Sequence, residues 1–294
     1  IKRKVIIAFL FLLPSFLWAQ DAPPNTDIFL FDVSYQGGNA ILSNKRNITD
    51  RFGYDNQPAF SEDGKSILYT SIGEDGQADI YRYNIKRNQT ERLTETPESE
   101  YSPKFMPDKK HFSVVQVEMD STQRIWKVPL YGHSTPLPLM EKVDSVGYYS
   151  WFYKQILVFF KLNKPPTLQI VITDRERPQP LAVDVGRCLQ RIPTEMAISF
   201  VDKNTPRWRM KKVTTNLKVA DIGPLYQNRE DYCWTPEGHV LLTYFDRIYI
   251  LNPGGQWETF ADLDAEEMCH MTRIEMSPDG KRLAIVNLMD GVVE

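Results

Sequence analysis

Short runs of residues that alternate between apolar and polar side chains follow one another along most of the chain. The run "DIYRYNI", residues 79–85, alternates with a period of two, which is typical of a half-buried β-strand. Similar runs are "QRIWKVPL", "LQIVITD", "RWRMKKVT" and "DRIYILNP". Polar residues, glycine or proline bound these runs, so the pattern predicts an all-β protein built from many short strands.

A turn motif that precedes these strands shows that the pattern repeats. Sequences such as "SEDGK" and "TPEGH" place a glycine where the backbone needs a positive φ, and so predict a tight hairpin between two strands. The large apolar residue before the turn recurs every 41 to 46 residues, at Phe60, Phe105, Trp151, Ile192, Trp234 and Met276. A period of about 40 to 45 residues with four short strands per repeat is typical of a β-propeller blade.

One repeat is split between the two ends of the sequence. The segments "TDIFLFDV" and "AILSNKRNIT", within residues 26–49, match the third and fourth strands of a repeat, whereas "MSPDGKRLAIV", residues 276–286, supplies only a first and a second strand. Joining the halves adds one blade to the five complete repeats and leaves no open sheet edge. The sequence predicts a single domain over residues 27–289: a six-bladed β-propeller of four-stranded antiparallel blades, closed by a blade that the two termini share.

The repeat resembles a known group of proteins. The turn "SPDGK", followed by "DIY" and "RLT" sequences, is similar to the WD40-like repeats of periplasmic TolB-type β-propellers over nearly the whole of residues 27–287. The similarity is weakest around Ile192, where the Asp-Gly turn is absent. TolB proteins carry an N-terminal α/β domain that we do not expect here, so the sequence resembles propeller-only exported proteins of Bacteroidetes. The resemblance implies a β-propeller fold and an envelope location.

The first twenty residues predict export. Three cations at positions 2–4 precede an apolar run of 14 residues, Val5 to Trp18, which is interrupted by Pro14. A membrane-spanning helix needs about 20 apolar residues, whereas this arrangement is typical of a secretory signal peptide. We therefore expect residues 1–20 to be cleaved, and the mature protein to be periplasmic or secreted without a transmembrane segment.

Composition and motifs limit the chemistry. The formal net charge of the 294 residues is −3, so we expect no nucleic-acid partner. Three cysteines, Cys188, Cys233 and Cys269, allow at most one disulfide, and the sequence does not say whether two of them are bridged. No nucleophile elbow, zinc-binding His-Glu motif, phosphate-binding loop or dinucleotide glycine pattern occurs. We predict no catalytic residue, metal or cofactor.

Polar residues lie three to five positions before most of the apolar anchors, where the innermost strand of each blade begins beside the central channel. A concave surface on which acids, arginines and a tyrosine converge is the default candidate for a binding site. The predicted site residues at the channel mouth are Asp55, Glu100, Tyr148, Arg187, Asp231 and Arg273. A purely structural interpretation, in which these groups form ion pairs that fill the tunnel entrance, stays open.

These features favour a monomeric, non-enzymatic scaffold that binds an envelope protein or peptide through its channel face. Two other functions are left open by the sequence. One is a small hydrolase, similar to lactonase propellers, that uses carboxylates at the central channel. The other is a glycan-binding protein that uses Tyr148, Tyr149 and Trp151.

Overall fold

The computed structural model describes residues 23–132, 134–268 and 270–289. The predicted signal peptide, His133 and Cys269 lie outside these ranges. The described residues form 24 β-strands and one short 3-10 turn at Tyr226–Asn228, with no α-helix among them. None of the described segments is a helix long and apolar enough to cross a membrane. The predicted all-β fold is confirmed.

Most strands form units of four, in which each strand pairs antiparallel with the next strand along the chain. Unit 2 contains β3 (Tyr54–Phe60), β4 (Ser66–Ile72), β5 (Ala78–Asn84) and β6 (Gln89–Arg92). Unit 3 contains β7 (Ser99–Phe105), β8 (His111–Val117), β9 (Gln123–Pro129) and β10 (Leu137–Pro138). Unit 4 contains β11 (Val146–Tyr153), β12 (Ile156–Lys161), β13 (Thr167–Ile172) and β14 (Gln179–Val183). Unit 5 contains β15 (Val185–Arg191), β16 (Ala197–Asp202), β17 (Arg209–Thr214) and β18 (Val219–Pro224). Unit 6 contains β19 (Tyr232–Trp234), β20 (Val240–Tyr244), β21 (Arg247–Leu251) and β22 (Trp257–Asp262).

Unit 1 combines strands from both ends of the described chain. Its strands, in spatial order, are β23 (Met271–Met276), β24 (Arg282–Leu288), β1 (Thr26–Gln36) and β2 (Asn39–Asn47). Strand β24 pairs antiparallel with β1 without interruption from Thr26–Leu288 to Asp32–Arg282. Units 1 and 2 also meet in one parallel pair, Thr26 with Tyr54, and so form one eight-stranded sheet.

The hydrophobic core lies between consecutive units. Because side chains alternate along a strand, each unit buries apolar residues on both faces, and every core cluster joins two neighbouring units. Between units 1 and 2, for example, Ile28 and Val286 pack with Ile67. Units 6 and 1 share such a cluster as well, where Leu241 packs with Ile285. The first strand of each unit contacts the first strand of the next, and β23 contacts β3.

A shared serine hydroxyl links the first strand of one unit to the second strand of the preceding unit. The hydroxyl of Tyr149 and the indole Nε1–H of Trp151 donate to Ser113 Oγ, at 2.8 and 3.0 Å. The same arrangement recurs around Ser199, between units 5 and 6. Tyr149 and Trp151 are buried, so they offer no surface to a sugar, and the glycan-binding interpretation is wrong for these two residues.

Candidate functional site

The first strands of all units begin on one side of the protein, which we call the entry face. In each unit the antiparallel order places the start of the first strand beside the end of the second and the start of the third; Tyr54, for instance, pairs with Ile72, which pairs with Ala78. The entry face therefore consists of the loops before β3, β7, β11, β15, β19 and β23 and the loops between second and third strands. The opposite side carries the hairpin turns that the sequence motif predicted.

A central cavity of about 60 Å³ is lined by residues of all six first strands, from Asp231, directly before β19, to Gln190 and Glu275, near the ends of β15 and β23. A single water molecule needs about 10–15 Å³ measured in this way, whereas pockets for drug-sized ligands measure about 300–1,000 Å³. The cavity therefore has room for a few waters or the tip of one side chain. Its polar lining consists of Gln57, Ser102, Lys104, Tyr148, Arg187, Gln190, Asp231, Arg273 and Glu275.

Four of the six predicted site residues meet at this cavity. Arg187 donates from Nη2 to Asp231 Oδ2 at 2.6 Å, and Arg273 Nη1 lies 3.9 Å from Asp231 Oδ1. The Arg273 guanidinium also lies over the Tyr148 ring, 5.5 Å from its centroid, which is within cation–π range. Burial opposes ionisation of Asp231, but Arg273 and Arg187 outweigh it and hold the pKa of the carboxyl below its usual range.

Burial and neighbouring charges shift the pKa values of Tyr54 and Arg273. Burial raises the pKa of Tyr54 to about 12, although Arg273 acts in the opposite direction. Asp231 raises the pKa of Arg273 despite the burial of that guanidinium. Both arginines are therefore fixed cations, and Asp231 is a fixed anion, over the whole physiological pH range.

The backbone next to Arg187 is held by a second acid. Glu230 Oε1 accepts the backbone N–H of Arg187, and Glu230 Oε2 accepts from Lys203 Nζ at 2.9 Å. The close approach requires a glycine, because a Cβ at Gly186 would lie 2.4 Å from the Glu230 carboxylate and 2.8 Å from the side chain of Val201. The sequence thus fixes the position of Arg187 by leaving its neighbour without a side chain.

Bulges in β3 and β7 place two residues in the cavity that were not among the predicted site residues. Gln57 and Ser102 have positive φ values of 60° and 54°, and the strand register shifts at both positions. Bulges are known to re-aim side chains near functional sites. Gln57 Oε1 accepts from the Ser102 backbone N–H at 2.6 Å and from Thr70 Oγ1 at 2.9 Å. The recurring "QP" and "SP" before the anchors Phe60 and Phe105 were the available sequence signal.

Asp55 and Glu100 do not line the cavity. Asp55 is fully buried and lies 2.9 Å from Arg51 Nε. Glu100 accepts from the hydroxyls of Thr94, at 3.0 Å, and Thr96. Both acids therefore join the first strand of a unit to the segment that leaves the preceding unit. Burial raises the pKa of Glu100 to about 7, although both threonine hydroxyls act against this.

The deeper part of the cavity contains a second acid that the sequence did not indicate. Glu275 accepts from Gln190 Nε2 at 3.1 Å. Burial raises the pKa of this carboxyl, and Lys104 counteracts part of that effect. Among residues 23–132, 134–268 and 270–289, no three His, Cys, Asp or Glu side chains are close enough together to hold a metal ion.

Two of the three cysteines are free thiols in the core. Cys188 and Cys233 are buried and unbridged, and the Cys188 thiol donates to the Tyr232 carbonyl at 3.4 Å. Burial raises the pKa of both thiols, so they behave as small apolar side chains rather than as nucleophiles.

Comparison with known proteins identifies the architecture. No protein-family model and no curated protein sequence matches the chain. A TolB-type structure from Agrobacterium tumefaciens is 16% identical and has a TM-score of 0.69, with 92% of this chain and 100% of that chain covered. An oligogalacturonate lyase from Vibrio parahaemolyticus is 14% identical, with a TM-score of 0.54 and coverage of 90% and 98%. A gluconolactonase from Xanthomonas campestris is 8% identical, with a TM-score of 0.60 and coverage of 92% and 99%. At this level of identity the likeness shows the fold alone, and that fold is a β-propeller.

Proposed function

We propose that the chain is an exported, six-bladed β-propeller that binds a protein or peptide at its entry face and catalyses no reaction. The observation that carries this proposal is the central cavity, in which fixed charges from three units surround a space of about 60 Å³. Such a space suits one side chain of a partner better than a whole small-molecule substrate. A rigid scaffold of strands holds the charged groups in place, as recognition requires.

Packing and pairing support a closed ring of six blades. Each unit shares a core cluster with both of its neighbours, and the contacts between first strands run from β3 through to β23 and back to β3. In this proposal unit 1 is the closing blade, held by the antiparallel pairing of β24 with β1. Residues 27–289 then form one domain.

Exposed apolar side chains on the entry face support a macromolecular partner. Phe52 is 82% exposed, Met119 is 79% exposed and Phe245 is 52% exposed. They lie in the loops before β3, between β8 and β9, and between β20 and β21. Apolar groups around a polar centre are a common arrangement at protein interfaces.

The proposed location in the bacterial envelope is based on the sequence alone. Residues 1–20, which contain the apolar run Val5 to Trp18, lie outside the described residues, and their pattern is that of a secretory signal peptide. The partner in this proposal is accordingly a protein or peptide of the bacterial envelope, and the propeller acts as a monomer.

Affinity capture from a bacterial envelope extract tests the proposal. The bait is the mature protein, and Arg187→Gln is compared with Arg177→Gln. Arg177 is exposed in the turn between β13 and β14, on the side away from the entry face, so its replacement is a matched control for the loss of one arginine. We expect Arg187→Gln to lose a partner that the wild type and Arg177→Gln retain. Equal capture by all three proteins contradicts binding at the entry face.

A carboxylate-based hydrolase is a second candidate, favoured by one observation. Glu275 is a half-buried cavity acid with a raised pKa, which is the property of a general acid, and a gluconolactonase and a lyase share the fold. Turnover of gluconolactone that disappears in Glu275→Gln supports this candidate. Absence of turnover by the wild type argues against a lactonase and leaves the binding function as the stronger proposal.

A further inference from the structure

We infer that the partner group that enters the cavity is a carboxylate, from an acidic side chain or a chain terminus, held by Arg187 and Arg273. The inference rests on the proposed binding function and names the chemistry of its ligand. The partner is an acidic peptide segment, either a loop or a tail, whose carboxylate reaches between the two guanidinium groups.

The charges at the mouth favour an anion. Arg187 and Arg273 share a single acid, Asp231, so this cluster has two cations and one anion. The neighbouring acid Glu230 is already paired with Lys203 at 2.9 Å. The cluster therefore carries one uncompensated positive charge, although the chain as a whole has a net charge of −3. A local positive potential of this kind attracts and orients anionic groups.

A third arginine adds to this excess near the same face. Arg229 directly precedes Glu230, and its guanidinium lies 5.1 Å from the centroid of the Tyr244 ring. It forms no ion pair with any residue in the described part of the chain. Acidic residues of an approaching segment would meet this cation on their way to the cavity.

The two guanidinium groups have donors that the protein does not use. A guanidinium has five N–H donors. Arg187 uses Nη2 for Asp231, while its Nε is buried and has no hydrogen-bond partner. Arg273 lies 3.9 Å from Asp231, which is longer than a hydrogen bond, and its side chain is 20% exposed. The Arg187 side chain is 41% exposed, so an oxyanion that enters beside both arginines can accept hydrogen bonds from their remaining N–H donors.

Size and charge favour a carboxylate over larger or more highly charged anions. The cavity of about 60 Å³ admits a planar group of three heavy atoms, and a single negative charge matches the single excess cation. A doubly charged phosphate would leave a net negative charge beside Asp231, which is 9% exposed and therefore poorly screened by water. The exposed apolar residues of the entry face are placed to contact the rest of the peptide.

Selection from a displayed library of random 12-residue peptides tests the inference. The mature wild-type protein and Arg177→Gln are used as baits, and the selected peptides are then measured against Arg273→Gln. We expect the selected peptides to contain Asp or Glu. Replacement of that residue by Asn or Gln should weaken binding to the wild type by about tenfold or more, and binding should weaken as salt is added.

These measurements distinguish failure of the carboxylate inference from failure of the proposed binding function. Against Arg273→Gln, the difference in affinity between the acidic peptide and its amide counterpart should shrink, because one of the two guanidinium groups that hold the carboxylate is gone. Peptides that bind at the entry face but keep their affinity when the acid is neutralised overturn the carboxylate inference and leave the binding function intact. If no peptide is enriched on the wild type, both proposals are contradicted. The peptide substitution needs no protein variant, so a variant that folds poorly cannot hide the result.

Discussion

At the scale of single residues, buried polar groups link several pairs of neighbouring units. Glu100 holds the segment after β6 through Thr94 and Thr96, and Ser113 and Ser199 each bind a tyrosine and a tryptophan of the following unit. Buried polar groups must be paired to be tolerated. These residues therefore stabilise the scaffold, and two predictions follow from their burial.

The first prediction concerns the pH dependence that Glu100 imposes. Its pKa is raised from 4.5 to about 7 in the folded protein, so the native state holds a proton that the unfolded state releases. Stability is then fully present below about pH 4.5 and is lost as the pH rises toward 7. The free energy of unfolding should fall by on the order of 3 kcal/mol across this window, at about 1.4 kcal/mol per pH unit.

Urea unfolding at several pH values between 4.5 and 7.5 measures this effect. In Glu100→Gln the group cannot ionise, so the slope of stability against pH should become flatter than that of the wild type. The comparison uses slopes, because the substitution also alters the hydrogen bonds from the threonines. Parallel slopes for the two proteins would show that Glu100 is ionised in the folded state without cost.

The second prediction concerns the shared serines. Ser199 Oγ accepts from the Tyr232 hydroxyl at 2.9 Å and from Trp234 Nε1 at 2.8 Å. Ser199→Ala leaves two donors without this acceptor, so the free energy of unfolding should fall by about 1–3 kcal/mol. Ser113→Ala should give a similar loss, since its environment is equivalent.

Ser43→Ala is the matched control for the serine substitutions. Ser43 is exposed in β2, and a surface change of this kind is usually within about 0.5 kcal/mol. Urea denaturation with an unchanged m-value reports the difference in stability. If neither buried-serine variant loses more free energy of unfolding than Ser43→Ala, water replaces the missing hydroxyls and the prediction is wrong.

At the scale of strands, the period and the apolar anchors were sufficient to predict the elements. The repeat around Ile192 lacks an Asp-Gly turn, yet β15 and β16 still form a hairpin, in which Ile192 donates to the Ala197 carbonyl. Burial of the anchor side chain thus matters more for forming this hairpin than the identity of the turn residue. Strand ends were less predictable: β1 and β2 extend to Gln36 and Asn39, because consecutive glycines at positions 37 and 38, both with positive φ, form a tight two-residue turn.

The third prediction tests the role of β24 in the proposed closure. A chain that ends at Lys281 lacks β24, so β1 loses one of its two antiparallel partners and keeps only β2. The fully buried Leu283, Ile285 and Val286 are also removed, and each contributes about 1.5–3 kcal/mol. Their sum is comparable to the whole stability of a domain, about 5–15 kcal/mol. We expect this chain to lose cooperative thermal unfolding.

A chain that ends at Met289 is the control for this truncation. It retains every residue of β24, and we expect it to melt cooperatively, as the full chain does. Circular dichroism during heating compares the three proteins. If the chain without β24 melts at the temperature of the control, the ring is not held closed by unit 1.

At the scale of the whole molecule, the repeat placed the candidate residues near the starts of the first strands, but it could not show which of their side chains meet. Arg187 and Asp231 are 44 residues apart, and the repeat places both near the start of a first strand, so their meeting could be expected. The position of Asp55 could not, because the bulge at Gln57 changes which residue of β3 faces the cavity. The repeat period predicts where a residue lies along a strand, whereas a bulge determines the direction in which its side chain points.

Photo-crosslinking tests the central claim, that a partner binds at the entry face, most directly. A photoreactive phenylalanine derivative replaces Phe52, which is 82% exposed before β3, or Tyr153, which is 51% exposed at the far end of β11. Both sites are exposed and aromatic, but they lie on opposite sides of the propeller. After illumination in envelope extract, we predict a discrete adduct from position 52 that Arg187→Gln abolishes, and none from position 153. An adduct from position 153 alone, or one from position 52 that survives Arg187→Gln, would contradict the account.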